Sequence, residues 1–273
     1  MSVLWVVGIV AAVVCAGCWV ASLITGDTSW VDRIWSITPV VYMWIFCGAA
    51  GFDDPRLWVM TVLVTAWGAR LTFNFARRGG YTGMEDYRWQ ILRSKMSGWQ
   101  FALFNLFFIV IYQNLLLVLI SLPGYTALRH PGGFGVLDVI LTLLFVAFLA
   151  GETVADQKQW EFYRRKAEAA LAQGVEPPSR FLTEGLFRYC RHPNYFCEQA
   201  QWWVIFAFGA TAAGTVLQPT VLGAVLLTLL FVGSTKFTES ITLAKYPEYA
   251  DYQRRTAGFV PMPPRHRTLG ATS

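Results

Sequence analysis

No charged side chain occurs before Asp27, and that restricts what the chain can fold into. A bilayer's hydrocarbon core is about 30 Å thick and takes roughly 20 apolar helical residues to cross. Residues 2–26 meet that length alone. Their apolar run exceeds the roughly 7–15 residues of a signal-peptide core, and no basic residue precedes it. A first membrane helix is expected, not a cleaved leader. Further apolar runs fall at 37–52, 57–75, 99–122, 136–155, 199–216 and 219–235. The sequence therefore predicts an all-α, polytopic membrane protein with seven transmembrane helices in one membrane domain, 1–273. Only 14% of residues are charged and 55% are hydrophobic, whereas an average soluble domain carries roughly 25% charge.

The basic residues set the orientation. One set of loops carries Arg77, Arg78, Arg88, Arg93 and Lys95, then Lys158, Arg164, Arg165, Lys166, Arg180, Arg188 and Arg191. The tail adds Lys236, Lys245, Arg254, Arg255, Arg265 and Arg267, while the opposite loops offer only Arg56 and Arg129. Basic loops stay in the cytoplasm, so N-out/C-in is expected, in the inner membrane if the source is bacterial. The net charge of +5 then reflects topology, and no nucleic-acid partner is expected. Cys15-Ala16-Gly17-Cys18 has redox spacing but no His or acidic helper, and reads as packing. His130, His192 and His266 do not make a metal set.

Chemistry concentrates in the loop from 156 to 198. Its first part, Gln157 to Ala172, reads as helix, and Gly174 to Pro178 breaks it. The run Gly185-Leu-Phe-Arg188-Tyr189-Cys190-Arg191-His192-Pro193-Asn194-Tyr195-Phe-Cys-Glu198 follows. Pro193 fits a first helical position, where its missing N–H costs nothing. The free N–H groups and dipole there favour an anion. Arg188 and Arg191 present forks suited to phosphate. Asn194, Glu198 and Gln201 share a face at i, i+4 and i+7. This pattern suits an anionic cofactor near the cytoplasmic surface; the competing reading is a basic anchor for lipid headgroups. Glu152 and Asp156, also four apart, either close a structural ion pair with Arg180, Arg188 or Arg191 or accept from hydroxyls.

Three further segments stand out. Ser29–Ser36 places Asp32 and Arg33 beside two apolar helices, where a desolvated carboxyl becomes a proton donor. Tyr112, Gln113 and Asn114 sit mid-span, bridging helices or lining a cavity. Glu85-Asp86-Tyr87-Arg88 and Arg70 read as structural ion pairs. Tyr246 through Pro261 forms an amphipathic tail able to cover a cofactor.

At these motifs the chain resembles the steroid 5α-reductase-like family and, within it, the bacterial branch of DUF1295 proteins. The resemblance is strongest from Gly151 to Pro261, the motif-bearing cofactor half. It implies seven membrane helices around NADPH, and reduction of an α,β-unsaturated carbonyl in a steroid-like or other lipophilic substrate entering from the bilayer, with a monomer among membrane lipids. Carried over by position, it assigns Asp156, Arg180, Asn194, Glu198 and Arg70 to the cofactor shell, with Arg188, Arg191, His192 and Tyr195 of the motif beside them. Two departures mark the catalytic half: Asp32-Arg33 stands where the family has a Gln-Glu pair, and Trp67 where it has a tyrosine donor. Asp32 and Tyr112 are the candidate donors to the carbonyl oxygen, which gains negative charge as hydride reaches the β-carbon. The Arg-His-Pro-x-Tyr run also resembles isoprenylcysteine and phospholipid methyltransferases, which use S-adenosylmethionine. Those carry a Glu-Glu pair after the last span, where this chain has Glu239-Ser240. A transporter would need ionisable groups spread through several spans; here they gather at one face.

Overall fold

The computed structural model describes residues 2–172 and 180–265; the helix break at 174–178, His266 and Arg267 lie outside them. Among the described residues the chain is helical, with no strand. The helices are α1 (Val3–Thr25), α2 (Trp30–Ile34), α3 (Thr38–Ala49), α4 (Pro55–Arg77), α5 (Tyr87–Lys95), α6 (Gly98–Phe104), α7 (Gln113–Arg129), α8 (Val136–Leu171), α9 (Pro193–Ala213), α10 (Val221–Lys245) and α11 (Tyr249–Arg255). A π-helix, Asn105–Tyr112, fuses α6 to α7, and a 3-10 turn, Gly185–Arg188, precedes α9.

Five helical segments are long and apolar enough to cross a membrane: α1, α4, α6 through α7, α8 and α10. This marks a membrane protein. The other two apolar runs behave differently. The run at 37–52 yields α3, whose 12 residues rise only about 18 Å. The run at 199–216 belongs to α9, which begins at Pro193 as the motif predicts and carries Asn194, Glu198, Gln199 and Gln201 on its first turns. The run at 136–155 and the predicted helix after it form one continuous helix, α8. Its 36 residues measure about 54 Å, far beyond a hydrocarbon core of about 30 Å. Asp156 lies twenty residues after Val136, about 30 Å along the axis, where such a core would end.

The chain divides into two compact units, Met1–Val146 with Trp202–Leu227, and Ala147–Gln201 with Thr228–Ser273. In the first, α3 runs antiparallel to α4. Ser36 Oγ lies 2.7 Å from Thr72 Oγ1, Trp44 Nε1 donates to Thr65 Oγ1 at 3.2 Å, and Trp58 Nε1 donates to the Phe52 carbonyl at 2.7 Å. Gly68 makes this pairing possible, since a Cβ there would fall 2.5 Å from the Ser36 carbonyl oxygen. Small residues let membrane helices approach in this way.

Each end of this unit is closed by polar contacts. At one end Thr28 N–H and Oγ1 donate to Glu85 Oε1 at 3.0 and 2.9 Å, and Arg33 Nε donates to the Gly80 carbonyl at 3.1 Å. The ion pairs predicted in this segment form, Arg88 with Asp86 at 2.6 Å and Arg93 with Glu85 at 2.7 Å. At the other end Arg56 forks onto Asp138 at 2.6 and 3.0 Å. Both side chains are buried. Removing one partner of a buried pair leaves an uncompensated charge, whereas replacing both with apolar groups is often neutral. Arg56→Ala is expected to lose about 3–5 kcal/mol and Arg56→Leu with Asp138→Leu to recover most of it, as measured by thermal unfolding in detergent. A double variant no more stable than the single would show that the pair is not the cause.

Candidate functional site

The second unit collects most of the motif residues. Gly151 brings α8 against α9, because a Cβ on it would sit 3.0 Å from Cys197 Sγ. Along this seam Gln201 Nε2 donates to Glu152 Oε2 at 2.6 Å, and Asn194 Nδ2 donates to Asp156 Oδ1 at 3.2 Å. Glu152, Asp156, Glu198 and Gln201 are all buried, and the Oε1 atoms of Gln199 and Gln201 are buried without a hydrogen-bond partner. On the i, i+4, i+7 face read from the sequence, Glu198 and Gln201 are buried and Asn194 is half-buried. Buried carboxylates and amide oxygens are expensive in an apolar setting. Here amides from α9 meet two of the carboxylates directly, Gln201 that of Glu152 and Asn194 that of Asp156.

The arginines divide. Arg191 is committed within the protein: Nε and Nη2 fork onto Glu239 at 2.6 and 2.9 Å, and Nη1 donates to the Gln253 and Thr256 carbonyls. Its guanidinium, assigned to phosphate because carboxylate and phosphate fit the same fork, is taken up by a carboxylate. His192 Nε2 also lies 2.9 Å from Glu239 Oε1. The His192 ring stacks on Tyr195, which packs against Phe231. Arg180 pairs with Glu248 at 2.9 Å, both exposed. Arg188 is exposed on the turn before α9. Of the arginines weighed as partners for Glu152 and Asp156, Arg180 takes Glu248 and Arg191 takes Glu239.

The amphipathic tail closes over this motif. After α11 the backbone pairs Cys190 with Ala257, the Arg191 N–H donates to the Ala257 carbonyl at 2.9 Å, and the Met262 N–H donates to the Tyr189 carbonyl at 3.0 Å. Tyr252 donates to the Phe187 carbonyl at 2.5 Å. Burial pushes the phenols of Tyr249 and Tyr252 above their ordinary range. Burial likewise pushes the Cys190 thiol up to about 11. Tyr249 and Gln253 are not singled out by the sequence, and Glu239 enters there only as the single acid where the methyltransferases have a pair. The usable signal is Glu239, an acid just past the last apolar run in an otherwise basic stretch.

The remaining candidates belong to the first unit. Asp32 Oδ2 accepts from Trp89 Nε1 at 3.0 Å. Burial raises its carboxyl above the ordinary range, and Asp86 pushes the same way, against opposing pulls from Arg88, Trp89 and Ser29. Tyr112 closes the π-helix and donates to the Leu226 carbonyl at 3.3 Å. Arg70 is partly buried on α4.

The donor set suits NADPH in kind. Carboxylates and amide oxygens are the groups that would accept from ribose hydroxyls and a carboxamide, and the exposed Arg188 fork is of the kind that would take a phosphate. Residues 18–256 match the model of a family described as "Protein of unknown function (DUF1295)". A Schizosaccharomyces pombe protein described as uncharacterized is 38% identical over 258 residues, covering 89% of this chain and 75% of its own length. No solved structure matches.

The tail contacts make a prediction. With a pKa of about 11, Cys190 holds only about a thousandth of its thiol as thiolate at pH 8, and the thiolate is the reactive form. In a variant whose other four cysteines are replaced by Ala, Cys190 is expected to resist maleimide, and Glu239→Ala to speed its labelling at least tenfold by releasing the tail. Equal labelling rates with and without Glu239, followed by mass spectrometry, would count against the latch.

Proposed function

The chain belongs to the DUF1295 family, and we propose that it is a multi-pass membrane reductase that uses NADPH to reduce the carbon–carbon double bond of a lipophilic α,β-unsaturated carbonyl. The observation that carries this reading is the seam of buried Glu152, Asp156, Glu198 and Gln201 with half-buried Asn194 at its end. It supports a hydroxyl- and amide-bearing ligand better than a headgroup anchor, which needs cations and no buried acids. Asp156, Asn194 and Glu198 would hold ribose and carboxamide groups, and Arg188 a phosphate. Arg191 and His192 act through Glu239, fixing the turn from which α9 starts. Bound NADPH supplies a hydride to the β-carbon of the substrate.

The protein's own part is to stabilise charge on the carbonyl oxygen, and a positioned donor does this best where water is excluded. Asp32 is the first candidate, since burial favours its protonated form and so a donating O–H. Tyr112 is the second. Its 3.3 Å bond to the Leu226 carbonyl is long for an O–H donor, which leaves the phenol available. A substrate soluble in the bilayer reaches such groups laterally.

Seven crossings with N-out/C-in orientation and cytoplasmic motif loops follow from the distribution of basic residues, and contacts inside each unit are compatible with helices crossing in pairs. Residues 28–33 touch residues 80–85, so the chain returns after α3 and α4 to the end from which it entered α3. Arg191 likewise touches Gln253 and Thr256, so the start of α9 and the tail after α10 lie together. In a cysteine-free background, Arg188→Cys and Lys95→Cys are expected to react with an impermeant maleimide only from the cytoplasmic side, and Gly133→Cys only from the other. Labelling of Arg188→Cys from outside would reverse the orientation.

Ligand retention tests the chemistry. Protein purified in mild detergent is expected to show the reduced-nicotinamide absorbance band and to release NADPH on denaturation, as identified by mass spectrometry. Asn194→Ala and Glu198→Ala should each lower occupancy at least tenfold with insertion unchanged. Release of S-adenosylmethionine instead would identify a methyltransferase, and wild-type occupancy in both variants would remove the seam from the site.

A further inference from the structure

We propose that Lys166, Arg180 and Lys245 form a phosphate-binding site around the ring of Tyr246, in the second unit and apart from the α8/α9 seam. Lys166 Nζ donates to the Tyr246 hydroxyl at 3.3 Å and to the Arg180 carbonyl at 2.7 Å. The three cationic groups stand 5.1, 5.8 and 5.3 Å from the Tyr246 ring centroid for Lys166, Arg180 and Lys245 respectively. The acid paired with this group is Glu248, which takes Arg180. Among the described residues neither lysine has an ion-pair partner.

Three like charges around one neutral phenol repel each other, by about 1 kcal/mol per pair at 4 Å even in water. Exposed lysines ordinarily swing apart to relieve this. Here Lys166 reaches the Tyr246 hydroxyl while Lys245 stays over the same ring, and the Lys166 ammonium holds the Tyr246 phenol below its ordinary range. An anion with several oxygens resolves the arrangement, because each cation then gains a charge-assisted hydrogen bond. A phosphomonoester, carrying close to two negative charges at neutral pH, matches the cluster's excess of two after Glu248 is counted.

Lys166 follows Asp156 by ten residues of α8, about 15 Å along the axis, on the polar part of the helix. Two sources of phosphate reach that position. One is a nucleotide phosphomonoester, the group that distinguishes NADPH from NADH; this source rests on the proposed function. The other is an anionic lipid headgroup at the membrane surface.

Equilibrium binding to the purified full chain in phosphate-free neutral detergent separates the sources. The nucleotide probes are NADP+ and NAD+, which differ by one phosphomonoester; the lipid probes are phosphatidic acid and phosphatidylcholine in mixed micelles. In one arm the phosphomonoester probe is expected to bind at least tenfold more tightly than its control. Lys166→Gln with Lys245→Gln should abolish that preference, and exposed Lys245→Gln alone should reduce it severalfold if the double variant fails to fold. Absence of preference in both arms, or a preference that survives the substitutions, overturns the site. NADH, which lacks the phosphomonoester, reports the reductase reading separately. NADH bound without any phosphomonoester preference defeats this inference alone. Neither dinucleotide bound, with phosphatidic acid still preferred, defeats the reductase reading and leaves the site standing with a lipid ligand.

Discussion

One carboxylate organises the second unit. Glu239, on α10, takes two N–H groups from Arg191 and one from Gln253, and stands within hydrogen-bond distance of His192 and of the Tyr249 hydroxyl. These partners come from the turn before α9 and from the tail, so a single buried acid joins three separate stretches of chain. Breaking a pair of this kind is costly because the charge left behind is desolvated. The direction in which α9 enters, and so the side to which Asn194 and Glu198 face, follows from that junction.

The length of α8 does comparable work. Its apolar part is long enough for the hydrocarbon core, and its polar part, rich in basic residues, continues beyond it as the same helix. Asp156 falls at the change. An acid at that depth is neither fully in lipid nor fully in water. Its bond to Asn194 shows how the protein supports it: by an amide from α9, which turns both groups into one polar edge.

Much of this was legible from residue order. The apolar runs, the start of α9 at Pro193, the shared face of Asn194, Glu198 and Gln201, and the Glu85/Asp86 ion pairs all depend on local spacing, which a sequence displays directly. The predicted count of seven spans meets five helices long and apolar enough to cross, because α3 is short and α9 is diluted by its own polar face. The role of Arg191 was not legible at all. Its carboxylate partner lies 48 residues away, and a guanidinium fork reads the same toward phosphate as toward Glu239. The convergence of Lys166 and Lys245 on Tyr246 was hidden for the same reason, since one cation comes from α8 and the other from α10.

The pairing of Cys190 with Ala257 also imposes an order of assembly. The motif turn leaves the ribosome well before Glu239, Gln253 and Thr256 exist. At roughly 5–20 residues per second, the turn waits several seconds for its carboxylate and its backbone partner. Throughout that interval Arg191 and Cys190 lack their later neighbours, and the nascent chain exposes the same basic surface that the finished protein buries. Translation speed over the last apolar segment thus becomes a determinant of how long that surface stays open to capture by chaperones or by lipid.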